Sequence, residues 1–332
     1  MQTQIKKIDE QSIAEAKEIL LSGGVVAIPT ETVYGLGGNA FDDAAVQRIF
    51  AVKGRPADNP LIAHVHMGYD LSKIIDYDTP IAKKLRAAFL PGPLTLVYPS
   101  TSKVSKYVSC GLNTLAVRVP SHTGAQALLK AVDLPVVAPS ANLSKHVSPT
   151  SASHVFDDFS GAIPLILDGG DAVGGIESTV CDVSGDVPVI LRPGLITREQ
   201  IAAVCGDCLS YEPKKGEQVK SPGVLYKHYS PRCETALFQT ADEARVYVEG
   251  TPKDKRVGVL CERKEITAFA DCICYDLGET SQEMAANLYA LLRQAEKQCD
   301  VLVAIEPSLK DGVMDGVLNR LRKACTSKDI EH

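Results

Sequence analysis

Four cationic side chains in the first two hundred residues have the chemistry to bind anionic groups. Lys53 and Arg55 lie one residue apart on a loop rich in glycine and proline, just before a strand-like run that contains His64. Alone, such a pair is more often a solvated surface, but this strand would let both cations face a common cleft. Arg118 alternates with apolar residues, where burial of an arginine is unfavourable unless it meets an anion. Arg192 closes another apolar run, where it could grip a phosphate with two N–H groups.

Short hydroxyl and amide side chains could supply uncharged donors to the same ligands. Residues 29–37, with the sequence PTETVYGLG, follow a strand-like apolar run at 25–28. They lack the spacing of both common phosphate-binding glycine loops. Taken alone, this segment is as compatible with an ordinary capped turn as with a binding site. Similar clusters at 138–148 and 177–182 also follow apolar runs, at the edge where α/β sheets bind ligands.

Together these patches predict a pocket for two anionic ligands. Lys53, Arg55 and Arg192 would neutralise a triphosphate, while Arg118 would hold a carboxylate. No Ser-His-Asp or Cys-His arrangement and no pair of catalytic carboxylates stands out in the sequence. The predicted site would therefore act by positioning and electrostatic stabilisation, as in phosphoryl and nucleotidyl transfer.

The elements that must position these residues alternate between helical and strand-like patterns. Helices are predicted at 12–21, at 43–52 and from the Thr79-Pro80 pair, where threonine is the N-cap and proline lies in the first turn. Strands are predicted at 25–28, 60–65, 94–98, 115–119, 136–138, 165–167, 179–183 and 189–191. Because several strands follow one another without a helix between them, we expect an α/β fold with a mixed, twisted sheet, flanking helices and a concave basic cleft.

The pattern lapses in a polar, turn-rich stretch and then resumes. We expect a catalytic domain at 1–208, a linker at 209–231 and a smaller C-terminal domain at 232–332. In the last, strands are predicted at 235–238, 256–261 and 300–305, and helices at 282–298 and 315–324. Alternation of this kind predicts a Rossmann-like α/β domain. It contains no nucleotide-binding glycine fingerprint, and the sequence assigns it no chemistry.

Composition narrows the class of protein. A chain of 332 residues favours two domains, and 45% hydrophobic with 23% charged residues describes an ordinary globular protein. The net charge of −6 argues against a protein that mainly wraps nucleic acid. The ten cysteines lack the paired spacing of a zinc site, so no metal site is predicted. Without an apolar run of membrane-spanning length or a signal-peptide pattern, we expect a cytoplasmic protein that does not contact membranes.

Seven ordered motifs resemble those of the YrdC-like threonylcarbamoyl-AMP synthases, in their long, two-domain form. They are residues 29–37, Lys53-Gly-Arg55 with Asn59-Pro-Leu61, residues 91–96, Arg118-Val-Pro120, residues 139–142, residues 177–180 and residues 191–194. The linker at 221–231 and the terminal segment 315–323 also resemble these longer members.

The resemblance implies a nucleotidyltransferase that joins L-threonine, bicarbonate and ATP into threonylcarbamoyl-adenylate and releases pyrophosphate. That product would feed a downstream threonylcarbamoyl transferase for the t6A modification of adenosine 37 in tRNA. By position, the residues implied to contact threonine are Thr32, His64, Arg118, Ala138 and Ser178. Those implied to contact ATP are Arg55, Asn59, Thr114, Ser140, Ser148, Arg192 and Tyr229. The implied catalytic set is Lys53, Arg55, Ser140 and Asn142.

In this scheme a carbamate of threonine attacks the α-phosphate, while Lys53 and Arg55 offset the developing charge. Mg²⁺ is expected to accompany ATP. Tyr226, His228 and Tyr229 would fold over the pocket as a lid, the alternative being a linker that merely tethers two domains. Two other functions stay open: an RNA-binding or regulatory module, and a carbamoyl-transfer maturation factor of the hydrogenase type. A weak contact with tRNA or double-stranded RNA is compatible with any of these.

Overall fold

The computed structural model describes residues 2–57, 59–101, 103–212 and 229–326. These residues form two compact units. The first contains 2–144 and 149–212, and the second contains 145–148 and 229–326. Residues 145–148 therefore belong to the second unit, although the chain on both sides of them belongs to the first.

An eleven-stranded mixed sheet organises the first unit. Its strands are β1 (Gln4–Lys7), β2 (Val26–Ile28), β3 (Gly35–Asn39), β4 (Ile62–His64), β5 (Leu94–Pro99), β6 (Thr114–Arg118), β7 (Val136–Val137), β8 (Leu165–Asp168), β9 (Thr179–Asp182), β10 (Val189–Arg192) and β11 (Leu209–Ser210). They lie in the order β1-β8-β2-β3-β7-β4-β6-β5-β9-β10-β11. Parallel and antiparallel pairs both occur, for example β4 with β6 and β5 with β6. The predicted mixed sheet is confirmed.

Seven α-helices and one short 3-10 helix, Leu71–Lys73, accompany this sheet among the described residues. The α-helices are α1 (Glu10–Leu21), α2 (Asp43–Lys53), α3 (Pro80–Phe89), α4 (Lys106–Ser109), α5 (Thr123–Val132), α6 (Ala152–Phe159) and α7 (Arg198–Cys205). The hydroxyl of Thr79 accepts from the amide of Ala82 and Pro80 lies in the first turn of α3, as predicted. No helix in the described ranges combines the length and the apolar character needed to cross a bilayer.

The strand β3 departs from the sequence prediction, which read residues 29–37 as a turn at the end of a strand. Ile28 pairs with Gly35 in antiparallel register, so the chain returns at once beside β2. A Cβ on Gly38 would lie 2.9 Å from Ile49 Cδ1, and one on Gly37 would lie 3.1 Å from Val136 Cγ1. Glycine is required here by close packing, and it also hides the strand because glycine is a poor strand former.

The strands β4, β5, β6, β9 and β10 place alternate residues on opposite faces of the sheet. One face joins the main core of the unit through Ala63, Leu96, Val117, Cys181 and Ile190. The opposite face carries a smaller apolar cluster of Ile62, Val97, Ala116, Val180 and Leu191. Several of the predicted site residues lie near the ends of these strands, on the same face as this smaller apolar cluster.

The second unit contains a four-stranded, all-parallel sheet in the order β12-β15-β13-β14. Its elements are β12 (Glu234–Phe238), α8 (Ala241–Gly250), β13 (Val257–Cys261), β14 (Ile273–Asp276), α9 (Ser281–Gln298), β15 (Val301–Ile305) and α10 (Gly312–Ala324). Its core is built on Phe238, Val259, Val303 and Ile305. A small parallel sheet with helices in the crossovers confirms the predicted Rossmann-like second domain.

Candidate functional site

Arg118 is a buried cation on the face of the sheet that carries the smaller apolar cluster. It ends β6 and is only 4% exposed. Its Nη1 donates to Thr32 Oγ1 at 2.7 Å, and its Nε donates to the carbonyl oxygen of Gly92 at 3.3 Å. Thr32 is itself fully buried, and its hydroxyl lies 2.9 Å from that of Thr30. The guanidinium predicted to hold a carboxylate is therefore fixed against the segment 29–37.

His64 lies beside Arg118, because the two residues are register partners in the parallel pair of β4 and β6. Burial, together with the nearby charge of Arg118, lowers the pKa of His64 to about 3. The ring is thus neutral at ordinary pH. Its Nδ1 lies 3.2 Å from the carbonyl oxygen of Ile62, and the backbone of Val136 is a second hydrogen-bonding neighbour of the ring.

Ser178, Thr95 and Arg192 form a second polar group on the same face. The hydroxyls of Thr95 and Ser178 are 2.8 Å apart. Arg192 Nη2 donates to the Ser178 carbonyl oxygen at 2.9 Å and to its hydroxyl at 3.3 Å. The predicted phosphate-binding arginine and a predicted threonine-binding serine are therefore direct neighbours.

A β-bulge explains how Arg192 reaches this face. Ile190 pairs with Cys181, and Arg192 pairs with Val180, so Leu191 is an extra residue in β10. If β10 alternated regularly, with no bulge, Arg192 would share the face of Ile190 in the main core. The bulge turns its side chain to the opposite face instead, as bulges near functional sites often do.

Lys53, which the sequence predicts to neutralise a phosphate, is buried and anchors a loop of the site. This last residue of α2 is 3% exposed. Its Nζ donates to the carbonyl oxygens of Ser140 and Asn142, the second at 2.6 Å. The ammonium group thus holds the backbone of the loop that follows β7, and through it the other predicted polar residues of that loop.

The same loop is tied to β3. Gly35 and Ser140 form an isolated antiparallel bridge, and a Cβ on Gly35 would lie 2.9 Å from the Cβ of Ala138. Ala138 is buried, and its amide donates to the carbonyl oxygen of Ile62 at 3.2 Å. Ala138, Ser140 and Asn142 are thereby connected through the backbone to the segment that carries Thr32.

Arg55 and Asn59 lie together beyond the end of α2. Arg55 Nη2 donates to the Asn59 carbonyl oxygen at 2.9 Å, and its guanidinium lies 5.8 Å from the centre of the Phe50 ring. Asn59 is 2% exposed, and its Oδ1 has no hydrogen-bond partner among the described residues. This buried acceptor is a feature that a ligand donor would satisfy.

Thr114 lies at the other end of β6 from Arg118. The two residues are four positions apart, which places their Cα atoms roughly 13 Å apart along the strand and on the same face. Between them lies Ala116, within the apolar cluster of that face. The two predicted ligands would therefore lie end to end along one strand, with an apolar floor between the residues that bind them.

Two predicted ATP residues belong to the second unit. Ser148 is fully buried in the segment 145–148. Tyr229 is 6% exposed, and its ring centre lies 5.3 Å from that of Tyr289 in α9. Tyr226 and His228 of the predicted lid, with the greater part of the segment 209–231, lie outside the described residues.

Sequence reasoning missed two residues of the site, Glu31 and Thr95. Glu31 Oε1 lies 2.7 Å from Arg118 Nη2, and both side chains are buried. Its position between two threonines, two residues after Pro29, was the available signal. For Thr95, the signal was its place between Leu94 and Leu96. Those two leucines face the main core, so Thr95 must face the opposite side of the sheet.

Family models match both parts of the chain. One, Sua5_yciO_yrdC, is described as "Telomere recombination" and matches residues 18–194. The other is described as "Threonylcarbamoyl-AMP synthase, C-terminal domain" and matches residues 196–326.

Individual proteins match over nearly the whole length. A threonylcarbamoyl-AMP synthase of Pyrococcus abyssi is 41% identical, over 96% of this chain and 95% of the relative. A threonylcarbamoyl-AMP synthase of Bacillus subtilis is 40% identical, over 97% of this chain and 95% of the relative. The crystal structure of P. abyssi Sua5 complexed with L-threonine superimposes with a TM-score of 0.89 at 39% identity, covering 97% of each chain.

Proposed function

The chain belongs to the threonylcarbamoyl-AMP synthase family, and from this membership we propose that it joins L-threonine, bicarbonate and ATP into threonylcarbamoyl-AMP and pyrophosphate. The family is one of enzymes that transfer an adenylyl group. The observation that carries the substrate assignment is the buried guanidinium of Arg118, fixed on Thr32 beside the neutral His64. A carboxylate fits this group, and a relative of the same fold is complexed with L-threonine.

The threonine subsite comprises Thr32, His64, Arg118, Ala138 and Ser178. Arg118 would bind the α-carboxylate. His64, held neutral by its lowered pKa, would not repel a cationic group of the ligand. The buried hydroxyls of Thr32 and Ser178 would complete the polar wall.

The nucleotide subsite comprises Arg55, Asn59, Thr114, Ser140, Ser148, Arg192 and Tyr229. Arg192 adjoins Ser178, so a phosphate bound by its guanidinium would lie next to the threonine. That neighbourhood is what a reaction between a threonine-derived carbamate and the α-phosphate requires. Arg55 and Arg192 would stabilise charge on the phosphates as pyrophosphate leaves.

Lys53 and Asn142 would act in the same step through the loop they share with Ser140. The Lys53 ammonium group binds two carbonyl oxygens of this loop, and so would keep its polar side chains oriented toward the phosphates. ATP would enter as its Mg²⁺ complex, since triphosphates usually carry this ion. The described residues contain no cluster of three or more His, Cys, Asp or Glu side chains that could hold a metal.

The product would pass to a threonylcarbamoyl transferase that modifies adenosine 37 of tRNA. The test of the proposed function is pyrophosphate release measured with each of the three substrates omitted in turn. Release should require threonine, bicarbonate and ATP together. Release that is independent of threonine, or no release with all three present, would overturn the proposal.

A further inference from the structure

Glu31 is a buried carboxylate at the threonine subsite to which the proposed function gives no task. Its side chain is 10% exposed, and that of Arg118 is 4% exposed. The distance from Oε1 to Arg118 Nη2 is 2.7 Å. The backbone around it is fixed, since the Glu31 carbonyl oxygen accepts from the amide of Gly174 at 2.7 Å.

The ion pair between the two charges leaves part of their hydrogen-bonding capacity open to a ligand. Both Glu31 carboxylate oxygens and Arg118 Nη2 are buried, and none meets hydrogen-bond geometry with a partner among the described residues. By contrast, Arg118 Nη1 and Nε donate to Thr32 and Gly92. Because buried polar atoms are nearly always hydrogen-bonded, three such atoms at one place indicate a ligand that supplies both a donor and an acceptor.

Glu31 is ionised in this environment. Burial is the largest single effect and raises the pKa of its carboxyl, but the charge of Arg118, its contact with the carboxylate and the nearby backbone together outweigh burial, so the pKa lies below its ordinary value. The pair therefore presents a negative and a positive charge side by side in a site of low polarity.

We propose that Glu31 binds the α-ammonium group of threonine while Arg118 binds its α-carboxylate. This inference rests on the proposed function of the site. A zwitterionic amino acid carries its opposite charges on groups attached to a single carbon, so it matches two protein charges in contact. The ammonium group supplies donors for the Glu31 oxygens, and the carboxylate supplies an acceptor for Arg118 Nη2.

The assignment gives Glu31 a role in selectivity. The amino group is the reacting group of threonine, and a carboxylate beside it fixes its position and favours α-amino acids over α-hydroxy acids. The neutral His64 does not compete with this group, because its pKa is too low for it to carry a charge. Removing the charge of Glu31 should therefore affect only ligands that carry an ammonium group.

The experiment compares two ligands on two proteins by calorimetric titration of the full chain without ATP. One ligand is L-threonine, and the other is 2,3-dihydroxybutanoate, in which a hydroxyl replaces the ammonium group. In Glu31→Gln, threonine affinity should fall by about 10- to 100-fold, the range for loss of a charged hydrogen bond. The affinity for the hydroxy acid should be unchanged or higher, since a negative charge near its carboxylate is gone.

A role limited to holding Arg118 predicts a different result. If Glu31→Gln lowers the affinity for both ligands equally, or leaves the affinity for threonine unchanged, the assignment is overturned. Glu31→Asp keeps the charge and should retain the preference for threonine; a variant as unselective as Glu31→Gln would count against the proposal. If the wild-type protein binds no threonine, the proposed function itself fails. This outcome differs from those that overturn only the role of Glu31.

The wild-type protein provides a second measurement that needs no variant. Threonine affinity should fall as its ammonium group deprotonates near pH 9, while affinity for the hydroxy acid stays level over the same range. Parallel pH profiles for the two ligands would contradict the role of Glu31 even if Glu31→Gln does not fold.

Discussion

Arg118 connects several parts of the candidate site. Its guanidinium contacts Thr32, Gly92 and Glu31, which come from separate segments of the chain, and its strand neighbour is His64. An arginine so placed has a fixed orientation, and orientation is what bidentate recognition of a carboxylate requires. The sequence predicted the charge and its ligand class, but not the counter-charge of Glu31.

Substitution of the two arginines should separate the two substrates. Arg118→Ala should raise the KM for threonine by about 10- to 100-fold, because a charged hydrogen bond to the carboxylate is lost. Arg55→Ala should instead raise the KM for ATP, by about tenfold, since its guanidinium lies with Asn59 at the nucleotide subsite. Steady-state pyrophosphate release with each substrate varied in turn measures both. Arg198→Ala, at an exposed arginine of α7, is the matched control, and equal effects of Arg55→Ala and Arg118→Ala on both substrates would refute the division.

His64 should make stability depend on pH below neutrality. Its folded-state pKa of about 3 lies below the ordinary value of 6.5, so the unfolded chain binds a proton that the folded protein excludes. Stability is therefore complete above pH 6.5 and falls as the pH drops from 6.5 toward 3, by about 1 kcal/mol per pH unit from this group. Urea unfolding between pH 7.5 and 5 checks this slope.

The matched comparison uses two histidines of neighbouring positions. His64→Gln should reduce the acid-side slope, while His66→Gln, which leaves His64 in place, should retain it. Identical slopes in wild-type protein and His64→Gln would show that His64 is not held neutral by the fold.

At the scale of elements, strands with regular alternation were predictable and those with local exceptions were not. The run at 94–98 was predicted as a strand and corresponds to β5, because four of its five residues are apolar and only Thr95 is polar. β3 escaped prediction because its glycines serve close packing rather than strand propensity. The bulge at Leu191 was equally hidden, since nothing in a single strand shows how many residues its partner opposes.

The chain just after β10 offers a test of how elements position the site, because Gly194 there packs against the residues that lead into β9. A Cβ on Gly194 would lie 2.5 Å from the amide nitrogen of Thr179 and 2.8 Å from the Glu177 carbonyl oxygen. Gly194→Ala should therefore destabilise the protein by about 1–3 kcal/mol and displace Ser178 from Arg192. Because misplacement by about 1 Å can cost about 100-fold in rate, kcat/KM should fall at least about tenfold.

The matched control for Gly194 is Gly185, which lies in the connection between β9 and β10. A Cβ there has no neighbour within 4 Å, so Gly185→Ala should leave both stability and kcat/KM unchanged. Thermal unfolding and steady-state rates measure the pair. Normal activity in Gly194→Ala would mean that the close approach of β10 to Glu177 and Thr179 does not position the site.

At the scale of the whole molecule, the sequence shows which side chains carry charge. It does not show which of them form hydrogen bonds with the protein's own backbone. Lys53 looked like a phosphate ligand, yet its ammonium group binds carbonyl oxygens of a loop nearly ninety residues later in the chain. Such a partner is set by tertiary structure, which local pattern does not encode. The same holds for the segment 145–148, which no composition shift marks as part of the second unit.

That segment provides the last prediction, because the second unit anchors it with buried charges. His146 Nε2 lies 2.8 Å from Glu296 Oε2 in α9, and Arg293 Nη2 donates to the Val147 carbonyl oxygen at 2.5 Å. Ser148, a proposed nucleotide ligand, follows directly. Glu296→Ala should release the segment and raise the KM for ATP by about three- to tenfold, in line with the usual 0.5–2 kcal/mol of indirect coupling, with threonine affinity unchanged. Gln294→Ala, at an exposed position of the same helix, should change neither constant. An unaltered ATP KM in Glu296→Ala, or a loss of threonine affinity of equal size, would show that the second unit does not act on the nucleotide through this segment.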